Sequence, residues 1–195
     1  MAIERGMMSR DLYYLKLFMS LLNFMILAFL SAVMMVTFNS INENYMARNF
    51  LEDISYLPRE ATKSTIIVFL TFFLLLYIIE IRKQFKHKPV VSVGIYVIEI
   101  VLCLIVIQCL YVSYNGILLL VVADIVTSIR DKHNRGMFLV IMGLIYIFAD
   151  YDIMSSIIHT ISFEEILSVY STQYSTLLLG IRNILVSVNN IAFIA

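Results

Sequence analysis

Of the ionisable side chains within or at the edge of long apolar stretches of this 195-residue sequence, four need weighing: Glu80, Glu99, Asp124 and Arg182. A charge at the middle of a bilayer costs about 2.5–3.5 kcal/mol on insertion scales, so it persists where it has a partner or a task. Glu80 stands beside Arg82 and Lys83 and reads as a boundary residue whose carboxylate snorkels to water. Glu99 is nine residues beyond Val90, Asp124 seven beyond Ile117, and Arg182 eight beyond Tyr174. At 1.5 Å per residue each lies roughly 10–14 Å from the start of its helix. This common depth predicts an intramembrane charge network of Glu99, Asp124 and Arg182, with Arg182 as the shared cation. Two uses fit it: a lock that holds a helix bundle together, or a switch that responds to a signal or ligand.

A second set of polar residues marks the last apolar run. Thr176, Gly180, Asn183, Ser187 and Asn190 fall within about 80° of arc on a helix, and Ser175, Arg182 and Asn189 form a narrower stripe about 120° away. Small and polar residues hold membrane helices together, so this helix is expected to be central in the bundle or to form a dimer. Cys103 and Cys109 are six residues apart, about 120° round one helix, and cannot bridge within it. His87, His133 and His159 fall in separate loops and cannot share a metal. There is no phosphate-binding glycine loop, no His-Glu-x-x-His pair and no nucleophile elbow. The sequence therefore implies no catalytic residue, metal or cofactor of its own.

The elements that must position these residues follow from composition. Hydrophobic residues make up 61% of the chain and charged ones 14%, against about 45–50% and 25% in soluble domains. Lipid must cover that surplus. The runs are long and apolar on all sides, which fits helices rather than the alternating strands of a barrel. Six spans are expected, at about 15–38, 64–81, 90–112, 117–129, 136–149 and 174–195, the fourth and fifth short for a crossing. The Asn115-Gly116 pair marks a turn between the third and fourth. Ser162–Ser171 has the pattern of a short amphipathic helix or of a loop dipping into the headgroups.

Loop charge sets the orientation, because cytoplasmic flanks collect Lys and Arg. Arg5, Arg10 and Lys16 precede the first span; Arg82, Lys83, Lys86 and Lys88 follow the second; Arg130, Lys132 and Arg135 follow the fourth. The alternate loops hold Arg48, Arg59 and Lys63 against four acids, no charge in Ser113–Gly116, and no Lys or Arg in Asp150–Gln173. The pattern predicts an all-α polytopic membrane bundle of six crossings in one domain, residues 1–195, with both termini in the cytoplasm. An apolar run reaching Ala195 with no basic anchor after it predicts a polypeptide that continues into the cytoplasm. The net charge of zero gives no reason to expect a nucleic-acid partner.

Three stretches carry a resemblance: Tyr114-Asn115-Gly116 through Ala123-Asp124-Ile125, then Ala149-Asp150-Tyr151-Asp152, and the run from Ile161-Ser162-Phe163 to Leu179-Gly180-Ile181-Arg182-Asn183. They resemble the membrane region of Firmicute sensor histidine kinases, in the branch whose response regulators have helix-turn-helix output domains. The resemblance implies a homodimeric, lipid-embedded sensor module of a bacterial cytoplasmic membrane. Its last helix would lead to a phosphoacceptor domain and an ATP-binding domain, neither of which is in these 195 residues. The alternative reading is a small-molecule membrane carrier, such as the substrate-binding subunit of a vitamin transporter, with Asn39–Lys63 as a lid.

Overall fold

The computed structural model describes residues 2–41, 61–85, 89–128, 136, 138–141, 143, 160–168 and 170–194. These residues form helices α1 (Ala2–Ile41), α2 (Ala61–Arg82), α3 (Pro89–Leu110), α4 (Gly116–Ser128), α5 (Phe163–Leu167) and α6 (Thr172–Ile194). Among the described residues there is no β-strand, only an isolated parallel bridge between Val112 and Ile161. The architecture is an all-helical bundle. Four helices are long and apolar enough to cross a membrane, over Tyr13–Phe38, Ala61–Arg82, Val93–Leu110 and Thr172–Ile194.

Local sequence explains the boundaries. No Gly or Pro interrupts the chain from Met7 to Ile41, so α1 runs well beyond the expected 15–38 at its N-terminal end. α2 ends in a 3₁₀ turn, Lys83–Phe85, and Pro89 opens α3, where its fixed φ suits the first helical position. α3 stops at Leu110, after which Tyr111 takes a left-handed φ of 59°. Ser162 and Glu165 cap α5 reciprocally, each side chain accepting from the other's backbone N–H. Phe163, Ile166 and Leu167 are buried while Glu164 and Glu165 are exposed, so this stretch adopts the amphipathic helix of the two forms its pattern allows. Of the fifth expected span, only 136, 138–141 and 143 are described, all helical; the rest lies outside the described residues.

α1 is the hub, packed against α2, α3, α4 and α6, while α2 and α3 lie along each other as a hairpin. Its inward stripe runs Met19, Leu22, Asn23, Ile26, Leu27, Leu30, Val33, Met34, Thr37, at the 3–4 residue spacing of one helix face. On α2 the inward stripe is Val68, Phe72, Leu75, Ile79, Arg82. Outward faces are also apolar: Leu70, Phe73 and Tyr77 on α2, Val93 and Val97 on α3, Leu177, Ile184 and Ile191 on α6. Since lipid tails are as apolar as these side chains, close packing and polar contacts must hold the helices together.

α4 differs from its neighbours. It has 13 residues, about 20 Å of rise against a hydrocarbon core near 30 Å. Nearly every residue from Ile117 to Ile125 is buried. The non-helical stretch before it has its backbone paired: Ser113 N–H donates to Ile161 O at 3.1 Å, and Ile161 N–H to Tyr111 O at 2.8 Å. Irregular backbone is tolerated at membrane depth when it is buried in protein and bonded in this way.

Candidate functional site

A largely buried charge cluster is shared by four helices. Arg82 Nε donates to Glu99 Oε1 at 2.8 Å, and Arg82 Nη2 pairs with Asp124 Oδ2. The three side chains are at most 4% exposed. Tyr96 lies beneath the guanidinium, its ring centroid 4.8 Å from Cζ, a separation at which a cation is drawn to the ring face. On the other side Lys16 Nζ reaches Asp124 Oδ1 at 2.5 Å. Two carboxylates thus meet two cations, and Asp124 bridges α1, α2 and α4. Glu99 Oε2 is buried and has no hydrogen-bond partner among the described residues.

Helix geometry explains how Arg82, the last residue of α2, reaches so far in. Side chains lean toward the N-terminus of their helix. Arg82 therefore leans into the bundle from the end of α2, and Glu99 leans back toward the start of α3. In the expected network of Glu99, Asp124 and Arg182 the cation is corrected: both carboxylates pair with Arg82, and Arg182 lies elsewhere. Reading Arg82 and Lys16 as flanking loop charges hid them. The signal was in the spacing: Arg82 continues the 68, 72, 75, 79 stripe, and Lys16 is three and seven residues before the buried Met19 and Asn23.

Arg182 serves elsewhere. Its guanidinium is 3.9 Å from Glu164, lies 5.9 Å from the centroid of Phe163, and bonds Asn183 Oδ1 at 3.2 Å. It leans toward the start of α6, so it meets α5 instead of α3 and α4.

The expected face of α6 also changes. Thr176, Gly180, Asn183 and Ser187 are exposed and Asn190 is half-buried. α6 packs against α1, α4 and α5. The polar residue of α6 that is fully buried belongs to the narrower stripe: Asn189. Asn189 Oδ1 accepts from Asn23 Nδ2 at 2.9 Å, and its Nδ2 donates to Gly116 O at 3.3 Å. Tyr114 Oη in turn donates to Asn23 Oδ1 at 2.7 Å. Gly116 is required here, because a Cβ would sit 2.5 Å from that hydroxyl and 2.6 Å from the ring. This hydrogen-bonded chain joins α1, the turn before α4, and α6.

Glu80 is exposed and, with Tyr13, Lys16, Ser20 and Asp124, borders a cleft of about 240 Å³ between α1, α2 and α4. Cys103 is buried and Cys109 half-buried, both as free thiols. Among the described residues no three metal-ligating side chains converge; His87, His133 and His159 lie outside them. Comparison with protein-family models, with curated proteins and with solved structures returned no match for this chain.

Proposed function

We propose that this chain is the membrane-embedded sensing module of a two-component histidine kinase, relaying an external or membrane-derived signal through α6 to a cytoplasmic kinase and its response regulator. The observation that carries the reading is the pair of polar networks on α1. Lys16 ties α1 to the Arg82 cluster, and seven residues on, Asn23 ties it to Asn189 of α6. A displacement at the charge cluster is thereby passed to α6 through one rigid helix. Buried ion pairs have few alternative arrangements, so a signal that favours one of two arrangements shifts the population of the output helix. The family resemblance of the sequence supplies the identity of the effector.

In this reading the chain crosses the bilayer six times with both ends in the cytoplasm, and two copies work as a dimer. The alternation of basic loops supports that topology. α4 completes the fourth crossing together with the extended stretch before it. Single cysteines at Ser55 and Ser168 should be labelled from outside intact cells, and those at His87 and His133 only after lysis; external labelling at position 133 overturns six crossings.

The function is tested by joining the chain, at Ala195, to the cytoplasmic half of a well-behaved histidine kinase. Asn189→Leu and Lys16→Gln should shift phosphorylation of the regulator while membrane levels of the protein stay constant. Output unchanged by either substitution removes the sensor reading. Saturable uptake or tight binding of a small solute by the chain alone would replace it with the carrier.

A further inference from the structure

The polar side chains inside α1 satisfy themselves in one way, and Ser31 departs from it. Ser20 Oγ, Asn23 Nδ2 and Thr37 Oγ1 each donate to the carbonyl four residues earlier, at 2.9, 2.9 and 2.7 Å. Such a back-bond lets a helix in lipid pair a hydroxyl without outside help. Ser31 has the same option at Leu27 and does not take it. Its Oγ is buried and has no hydrogen-bond partner among the described residues, and the whole residue is 3% exposed. An unpaired hydroxyl in an apolar interior is costly. One that leaves a neighbouring carbonyl unused points to a partner of another kind.

Ser31 borders a cavity of about 10 Å³ where α1, α2 and the end of α3 meet. Met34 of α1, Ser64 and Thr65 of α2, and Cys109 and Leu110 of α3 also line it. The last four carbonyls of a helix have no donor within it, so the end of α3 supplies acceptors. Ser64 Oγ donates to one of them, Cys109 O, and its own lone pairs can still accept. The helix cannot continue over the others, because Tyr111 turns to a left-handed φ of 59°. Three hydroxyls and a helix end therefore surround a space of molecular size. About 10–15 Å³ is the least that holds a water, which needs two to four polar partners. We propose that this cavity binds a single water molecule, which bridges Ser31 of α1 and Thr65 of α2 to the carbonyl end of α3.

Nothing larger than a water fits the space. A monovalent cation would use the same oxygens, but the described lining holds no carboxylate, and burying an uncompensated charge costs far more than burying a water. Water also suits the place. It bonds to several partners at once, so it joins three helices where α3 breaks and no direct side-chain bond spans the gap. The site stands whatever α6 signals to, and its test requires no kinase.

The test uses the full chain in detergent, and Ser31→Ala separates a bridged hydroxyl from a stranded one by sign. With the water bound, the substitution removes one of its partners and should lower Tm by about 2–4 °C, the shift of one hydrogen bond in a chain of this size. With a dry, unpaired hydroxyl it would raise Tm, since a buried unsatisfied group is removed. Thr65→Val should also lower Tm, and the double variant should lose less than the sum, because both residues act through one water. X-ray radiolysis reads the water directly: radicals formed from it should oxidise Met34, which is 6% exposed, in wild type and much less in the double variant. A raised Tm for Ser31→Ala, additive losses, or Met34 unoxidised in wild type overturns the proposal. A higher Tm in sodium chloride than in N-methylglucamine chloride, lost in Ser31→Ala, would overturn it as well by assigning the cavity to a cation.

Discussion

Two arginines, each leaning toward the N-terminus of an apolar helix, end in opposite circumstances. Arg82 is 4% exposed and joins three elements through Glu99 and Asp124, with Tyr96 beneath it. Arg182 is 28% exposed and faces a glutamate that is itself 60% exposed, at 3.9 Å. The two regions are well separated: Phe29, whose ring is near Phe163, is thirteen residues beyond Lys16 on α1, about 20 Å along the helix. The difference teaches that depth in the sequence run does not decide how buried a charge is. What decides it is the direction of the side chain and the presence of a helix on the receiving side.

The largest expected effect comes from emptying the buried site. Arg82→Leu removes the cation paired with Glu99 and one of the cations paired with Asp124, and breaking a buried pair in this way costs about 3–5 kcal/mol. Thermal unfolding in detergent should register it as the most damaging single substitution of the two regions. Combining it with Glu99→Leu should recover part of the loss, because one uncompensated charge is removed with the other. If the two losses add, the ion pair is not what holds α2 to α3.

Next in size is Gly116→Ala. The new methyl group collides with the Tyr114 ring, and overpacking of this kind costs about 1–3 kcal/mol. Shortening the obstacle with Tyr114→Leu in the same chain should relieve the collision, though it forfeits the bond to Asn23. A Gly116→Ala variant as stable as wild type would show that the turn before α4 yields freely.

Asn189→Leu should be milder. Hydrogen bonds between membrane helices average about 0.6 kcal/mol and reach about 1.7. Its sharper readout is specificity: Asn23→Leu and Asn189→Leu together should cost less than the sum of the two alone, whereas either paired with Arg82→Leu should simply add.

The smallest effect belongs to Arg182→Leu. A partly exposed pair contributes about 0–1 kcal/mol, so its melting temperature should stay within a few degrees of wild type. Non-additivity between Arg182→Leu and either Glu99→Leu or Asp124→Leu would reinstate Arg182 as a member of the network. A loss as large as that of Arg82→Leu would mean that the contact with Glu164 and Phe163 is itself a fixed point of the bundle.

The helices were legible in the sequence because membrane insertion is a one-dimensional property. A run such as Tyr13–Phe38 is apolar whatever its neighbours are, and Pro89 and Asn115-Gly116 mark the helix starts and turn that follow from local backbone chemistry. The charge cluster was half legible. Glu99 and Asp124 stand out because no water-facing reading fits them. Arg82 and Lys16 did not, since each adjoins basic residues that read as a cytoplasmic flank. Their membership is written only in the phase of the helix stripe, a weaker signal in an apolar helix than the charge count beside it.

The sequence by itself determined that the chain is helical and apolar enough for a membrane, that Glu99 and Asp124 need partners, and that α6 carries more polar groups than lipid alone would favour. Tertiary structure decided which cation serves both carboxylates, that Asn189 and not the Thr176–Asn190 face turns inward, and that α4 is enclosed on nearly all sides. The physical reason is the same for each. Burial of a polar group depends on which neighbour its side chain reaches, and that is set by helix phase, lean and crossing, which a run of apolar letters leaves open.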